Sequence, residues 1–478
     1  MKTSILKFLL VFGILGIYHS CTKDCTHPIF EGDDDAIVSF SFSNADGDHL
    51  VKITSDSLLI HVDYGFDFSS VTPNVVLSEA AEISPALTEI TDWSAAHEFT
   101  VSSANGQTTK KYAYKAYVAE YQKVYDKVAH LTSQAEVDEF GANEYTHVGG
   151  IIIDGSADSP ITNLESLSSI IEIQHNFKVA NYQGLNLRLE NLQKITTFNI
   201  KSDSLKTLEL PKLKVATNFF VGFLNDEYSV LASKIETVSC PSLTTVINDF
   251  AVAGYFVDLT GFSNLEEVGG EIIVGGRLVS LKGFEKITYA NYITISASDL
   301  TSLDGIQNLT TVKNAFELMN AQKLENLDGL NLQEAGNIAI SNCIKLRNID
   351  PLETITELDI LYLANVHLTD LKGLRNLKTI KKDLILTRLY YQEYDYSTIP
   401  YTITEGGVKN LNDLSNLETI GRHISIDNCI KLTDFSGLSK VAAYLNANSF
   451  TGTWKVEWNA YNPTLEEFLA GKYTADTE

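Results

Sequence analysis

The chain has 478 residues with 36 basic and 61 acidic side chains, a formal charge of −25, and 44 % of it is hydrophobic. That length excludes one ordinary core and calls for several units or an extended repeat array, while the apolar share excludes a disordered chain. So negative a surface excludes nucleic acid as a partner and is repelled by anionic lipid. Its plain role is to keep a large surface soluble; the sharper reading is divalent-cation binding or a cationic partner. The five cysteines, Cys21, Cys25, Cys240, Cys343 and Cys429, form no CxxC pair. Neither a disulfide scaffold nor a zinc site is expected, and neither a metal nor a cofactor.

In chain order, residues 1–20 read as an export signal. Lys2 precedes an apolar run from Ile5 to Ile17, too short to span a bilayer and of the right length for a signal-peptide core. Ser20-Cys21 follows. A small residue directly before a cysteine resembles the cleavage site of bacterial lipoproteins, which implies lipidation of Cys21; Cys25, behind Asp24, is a poorer position. An ordinary cleaved secretory signal is the alternative. Residues 21–35 include Asp33-Asp34-Asp35 and read as a solvated tether. An acidic tract behind the lipidated cysteine resembles surface-displayed lipoproteins of Bacteroidetes.

Residues 36–120 read as a small β-sandwich. The strand-forming runs are Ile37–Phe42, Val51–Ile53, Leu58–Val62, Val75–Leu77, Phe99–Val101 and Tyr112–Val118, and Asp46-Gly47 and Asn105-Gly106 mark turns. Trp93 fits a core or edge better than a ligand platform. Asp46 and Asp48 fit a turn better than a cation site. The arrangement resembles the immunoglobulin-like spacer domains of Bacteroidetes surface lipoproteins. Residues 121–145 read as a linker and a cap helix. Ser133 begins a capping box with Glu136, and Gly141 is expected to end the helix.

From 146 to 450 one apolar position recurs: Ile170, Leu192, Leu213, Leu243, Leu265, Ile287, Leu309, Leu332, Ile355, Leu377, Leu417 and Val441. The usual interval is about 22 residues, in the leucine-rich-repeat range, and gives about twelve turns. Leu259-Thr260-Gly261-Phe262 returns as Leu281-Lys282-Gly283-Phe284, Leu303-Asp304-Gly305-Ile306 and Leu371-Lys372-Gly373-Leu374. Each segment leads to a spaced apolar pair, such as Ile272/Val274, Phe316/Leu318, Leu384/Leu386 or Ile424/Ile426. Such pairs are strands with one buried face, which a single repeat cannot cover, so neighbours must stack. Asn320, Asn342 and Asn428 recur four residues before a register leucine and are read as a structural ladder bonding the backbone of adjacent turns. Cys240, Cys343 and Cys429 fall in the register as small buried hydrophobes.

These residues resemble leucine-rich repeats of the receptor L-domain kind. The resemblance is specific from 257 onward and weaker over 150–245, where the glycine is missing. It implies a mainly β fold: an immunoglobulin-like β-sandwich, then a right-handed solenoid with short helical caps. Residues 451–478 form the C-terminal cap, with Thr464 capping a short helix that ends at Gly471.

Two insertions break the period, one near Gly222–Ala232 and one near Thr387–Gly407. The second carries Tyr390, Tyr391, Tyr394, Tyr396 and Tyr401, residues that give contact area and a hydroxyl at small entropic cost. They are the first candidates for a ligand surface; the blander explanation is that they fold back over the solenoid. Trp454, Val456 and Trp458 are expected on one strand face, where Trp454 and Trp458 either stack on a ligand or close the end. No GxSxG, HExxH, P-loop or dinucleotide fingerprint occurs, and no catalytic residue is expected.

The expectation is a binding protein, not an enzyme, at the outer membrane and facing the cell surface. Its contact with the membrane is through a lipid only, and its partner is a glycan or protein ligand. The alternatives are a structural partner within an outer-membrane complex and, further off, a glycan-cleaving β-helix.

Overall fold

The computed structural model describes residues 32–119, 121–222, 233–395 and 402–475. The export signal, Cys21, Cys25, Tyr396 and Tyr401 lie outside the described residues. The chain divides into two compact units, Met1–Tyr121 and Gln122–Glu478.

The first unit is two small sheets around one aromatic core. Ile37–Asn44 pairs antiparallel with Gly47–Leu50 through the Asp46-Gly47 turn, and on its other side with Thr72–Leu77. The second sheet runs Lys52–Ile53, Ser57–Val62, Thr109–Val118, His97–Ser102, Glu82–Ser84. Its pairings are antiparallel except that between Ser57–Val62 and Thr109–Val118, which is parallel. Phe40 and Phe42 from the first sheet meet Phe99 and Tyr114 from the second around Trp93. Trp93 is buried, its ring 5.0 Å from that of Phe42. The Tyr114 hydroxyl donates to the Trp93 carbonyl at 2.7 Å, so the indole is packing. The end of the stretch read as tether belongs to this unit: Gly32 is buried and its carbonyl accepts from the Asn105 amide at 2.9 Å.

The second unit is a parallel β-solenoid. All twelve recurring apolar positions are buried at 2 % exposure or less. The ladder is longer than the repeat suggests at both ends. It begins at Val124–Leu131, inside the stretch read as a linker, which pairs parallel with His147–Asp154. Only Ala129 and Leu131 of that strand are buried, and so sparse an apolar face hides the strand from a periodicity argument. The ladder ends at Thr453–Glu457, inside the stretch read as a cap.

Helix Gln134–Gly141 starts at Ser133 as expected, with the Ser133 hydroxyl accepting from the Glu136 amide. Gly141 is its last residue but not a left-handed cap: a Cβ there would strike Ser166. The glycine lets the helix lie against the next turn, which the Gln134 amide also ties through Asn163. At the far end Thr464 closes a full capping box with Glu467 on helix Leu465–Leu469.

The turns are built in two ways. Between 186 and 239 a second, three-stranded parallel sheet (Asn186–Arg188, Thr207–Glu209, Thr237–Ser239) makes one side of the solenoid. From 260 onward several turns carry a short 3-10 helix there instead, Thr260–Phe262, Asp350–Leu352, Lys372–Leu374, Asn412–Leu414 and Ser436–Leu438 among them. The repeated glycine of this half is explained by close approach. A Cβ on Gly283 would run into the carbonyl of Leu259, on Gly305 into that of Leu281, and on Gly373 into that of Ile349.

From Thr311–Met319 onward, each strand of the main ladder is closed by a residue with left-handed backbone. Asn320, Asn342, Asn365, Arg388, Asn428 and Trp458 have φ between 52° and 59° and follow one another in register. Asn tolerates this conformation, which is why it recurs. Its side chains mostly reach one another and not the backbone: Asn365 Nδ2 donates to Asn342 Oδ1 at 3.0 Å, and Asn342 Nδ2 to Asn320 Oδ1 at 3.3 Å. Asn428 Nδ2 donates to Asp427 instead. Bonding of buried loop amides falls to Asn459, whose Oδ1 accepts from the Cys429 amide and whose Nδ2 donates to the Ile426 carbonyl, both at 2.8 Å.

Candidate ligand-binding surfaces

The longer insertion is a β-hairpin, Tyr390–Asp395 paired antiparallel with Thr402–Gly407. It leaves the ladder undisturbed, because Thr379–Thr387 still pairs with His423–Asp427 beyond it. Tyr391 folds back on the solenoid. Its ring lies 4.3 Å from the Arg347 guanidinium carbon and stacks at 5.8 Å on His367. Gly406 faces the ring, and a Cβ there would strike it. Tyr390 is half-buried. Tyr394 is in the first hairpin strand.

The two C-terminal tryptophans do not share a face. Trp454 packs on Phe468 with ring centroids 4.6 Å apart, and its Nε1 donates to the Pro463 carbonyl at 3.0 Å. Trp458 lies past the strand end, left-handed and 64 % exposed, at the position that Asn428 holds one rung earlier. The reversal of backbone hand after Glu457 breaks the alternation that would have aligned the two rings.

The three described thiols lie inside the solenoid. Cys240, Cys343 and Cys429 are buried, and burial pushes the Cys343 thiol up to about 11 and that of Cys429 up to about 12. Among the described residues no group of three His, Cys, Asp or Glu could hold a metal ion. None of the described helices is long and apolar enough to cross a membrane.

On the outer face near the C-terminal rungs, two buried carboxylates are held by partners. Arg422 forks onto Asp383, with Nε donating to Oδ1 at 2.8 Å, and this holds the Asp383 carboxyl below the usual range. Burial alone would raise the pKa of Asp427. Donation from Thr387 at 2.7 Å and Asn428 at 2.8 Å, with the Lys455 charge at 3.4 Å, overcomes that and lowers it.

A groove of about 810 Å³ that sequence reasoning missed lies along the line where successive strands break register. The breaks fall between Ala290 and Tyr292, Val312 and Ala315, and Leu358 and Ile360. Tyr289 and Tyr292 stand at one end, 43 % and 40 % exposed. Lys381 and Lys382 stand at the other, bridging to Glu357 at 2.5 Å and Asp359 at 2.8 Å. Between them Gly336 leaves the wall bare, since a Cβ there would come within 2.6 Å of the Lys313 carbonyl oxygen. Asn337 Oδ1, also lining the groove, is buried and accepts no hydrogen bond from any described residue. A second groove of about 750 Å³ adjoins it, with Tyr292 common to both. The signal for Tyr292 was in the sequence: it alternates with Ile293 and Ile295, so a ring at that position must face outward.

The grooves lie on the second unit, the parallel β-solenoid. Residues 37–116, most of the first unit, match the family model described as SGBP, N-terminal. The match supports a surface glycan-binding protein of the Bacteroidetes type and covers none of the solenoid. No curated protein matches the chain.

Proposed function

We propose that the chain is a lipid-anchored, non-catalytic glycan-binding protein of the outer-membrane surface. In this reading Cys21 carries the lipid, the first unit is an immunoglobulin-like spacer, and a right-handed leucine-rich solenoid presents the ligand surface. The observation that carries the reading is the SGBP, N-terminal match at residues 37–116, placed directly ahead of the solenoid. The leucine-rich kinship is supported by the buried 22-residue register and by the glycines that seat each turn on the previous one.

The test is protease shaving of intact cells that make the full chain, with Cys21→Ala as control. Removal of the protein from whole cells, and release of the control into the medium, are the expected results. A protein that stays membrane-bound but resists shaving would remove surface display and leave a partner within an outer-membrane complex.

A further inference from the structure

We infer that the groove between Tyr292 and Lys382 binds a neutral oligosaccharide lying across the rungs of the ladder. The inference rests on the glycan-binding reading above and assigns it a place and a ligand class.

Length supports it. The groove crosses five successive strands, from Tyr289–Ala297 to Thr379–Thr387. At about 4.8 Å per strand spacing this is a track of roughly 19 Å. It suits a short extended chain better than a compact metabolite.

Chemistry supports it as well. Two exposed tyrosine rings in a groove lined mostly by polar residues offer flat apolar faces with a hydroxyl at the edge, which suits the apolar face and polar rim of a sugar ring. Tyr292 is reached from both grooves, so a ligand can continue past it.

Charge narrows the class. The whole chain is at −25, yet the groove is balanced: Lys313, Lys381 and Lys382 face Glu334, Glu357 and Asp359. Lys382 holds the Asp359 carboxyl below its usual range. Neither a polyanion nor a cation finds a field of one sign there, whereas sugar hydroxyls can donate to the carboxylates and accept from the ammonium groups.

The experiment is native affinity electrophoresis of the full chain in gels holding starch, xyloglucan, mixed-linkage β-glucan, galactomannan, polygalacturonate or heparin, followed by titration calorimetry on the retarding polymer. The expected result is retardation in a neutral polymer and not in the two anionic ones. The double variant Tyr289→Ala/Tyr292→Ala should bind roughly thirtyfold more weakly, the scale of a hot-spot truncation. Tyr292→Phe, which keeps the ring, should stay close to the parent. Thermal unfolding of both variants within a degree or two of the parent excludes a folding defect. If the parent binds a neutral polymer and the double alanine variant binds as well, the groove is wrong and the glycan-binding reading stands. Loss of binding on Tyr390→Ala/Tyr391→Ala with the groove variants unaffected would move the site to the hairpin. Retardation only by the anionic polymers removes the neutral class. A parent that binds none of the six overturns the glycan-binding reading and the groove with it.

Discussion

The two halves of the solenoid solve the same problem with different parts. Between 172 and 254 the rungs are joined by a spine of phenylalanines, Phe177, Phe198, Phe219 and Phe250, stacked at 5.1 to 5.6 Å with nearly parallel rings. The far side is a second small sheet. From 257 onward the spine gives way mostly to Ile and Leu, with Phe316 alone among Ile272, Ile293, Ile338, Leu361, Leu384 and Ile424, and many turns tighten onto a glycine pressed against the preceding carbonyl. The weaker repeat signal before 245 is therefore a change of construction. In the first half cohesion lies in large side chains at the strand, and in the second in backbone approach at the turn.

Breaking each device should give costs in that order. Phe219→Ala removes the ring that touches two spine neighbours and Phe262, and should cost about 3–5 kcal/mol in chemical denaturation. A cost under 1 kcal/mol would mean that the stack is ornamental. Gly305→Ala adds a Cβ against Leu281 and places it at φ +116°, and should cost about 2–3 kcal/mol by the same measurement. An alanine variant as stable as the parent would show that the turn has room.

Acid should act on the second half first. The folded-state pKa of Asp383 is depressed by Arg422, so its contribution is complete above about pH 5 and is lost as pH falls through its folded-state value, below the ordinary ~3.9. Hydrogen exchange followed from pH 6 to pH 3 should show the rungs around Asp383 and Arg422 opening before the phenylalanine spine; the reverse order would contradict this account. Asn342→Ala loses two side-chain bonds and the residue type that tolerates the left-handed backbone, and should cost about 1 kcal/mol. Asn342→Gly separates the two parts, recovering the backbone share but not the bonds.

Much of this was legible in the sequence because the period reports burial directly. Leu309 or Leu377 can recur only if it faces inward on every turn. The first rung was hidden by its polarity, with Val124 and Val128 exposed. Asn365 escaped the ladder because its next inward leucine, Leu368, is three residues away and not four. Trp458 was misplaced because alternation cannot foresee a reversal of backbone hand. The groove was missed because breaks in strand register bring Tyr292, Asn337 and Asp359 together, and these leave no mark in a period of 22.

The hairpin at Tyr390 has a consequence for engineering. Its two strands leave and rejoin between Arg388 and Val408 while the rungs on either side remain paired, so the array treats the excursion as a side branch. That junction is a natural grafting port: a foreign loop or small domain whose ends lie as close as those of a hairpin can be installed there without resetting the stack.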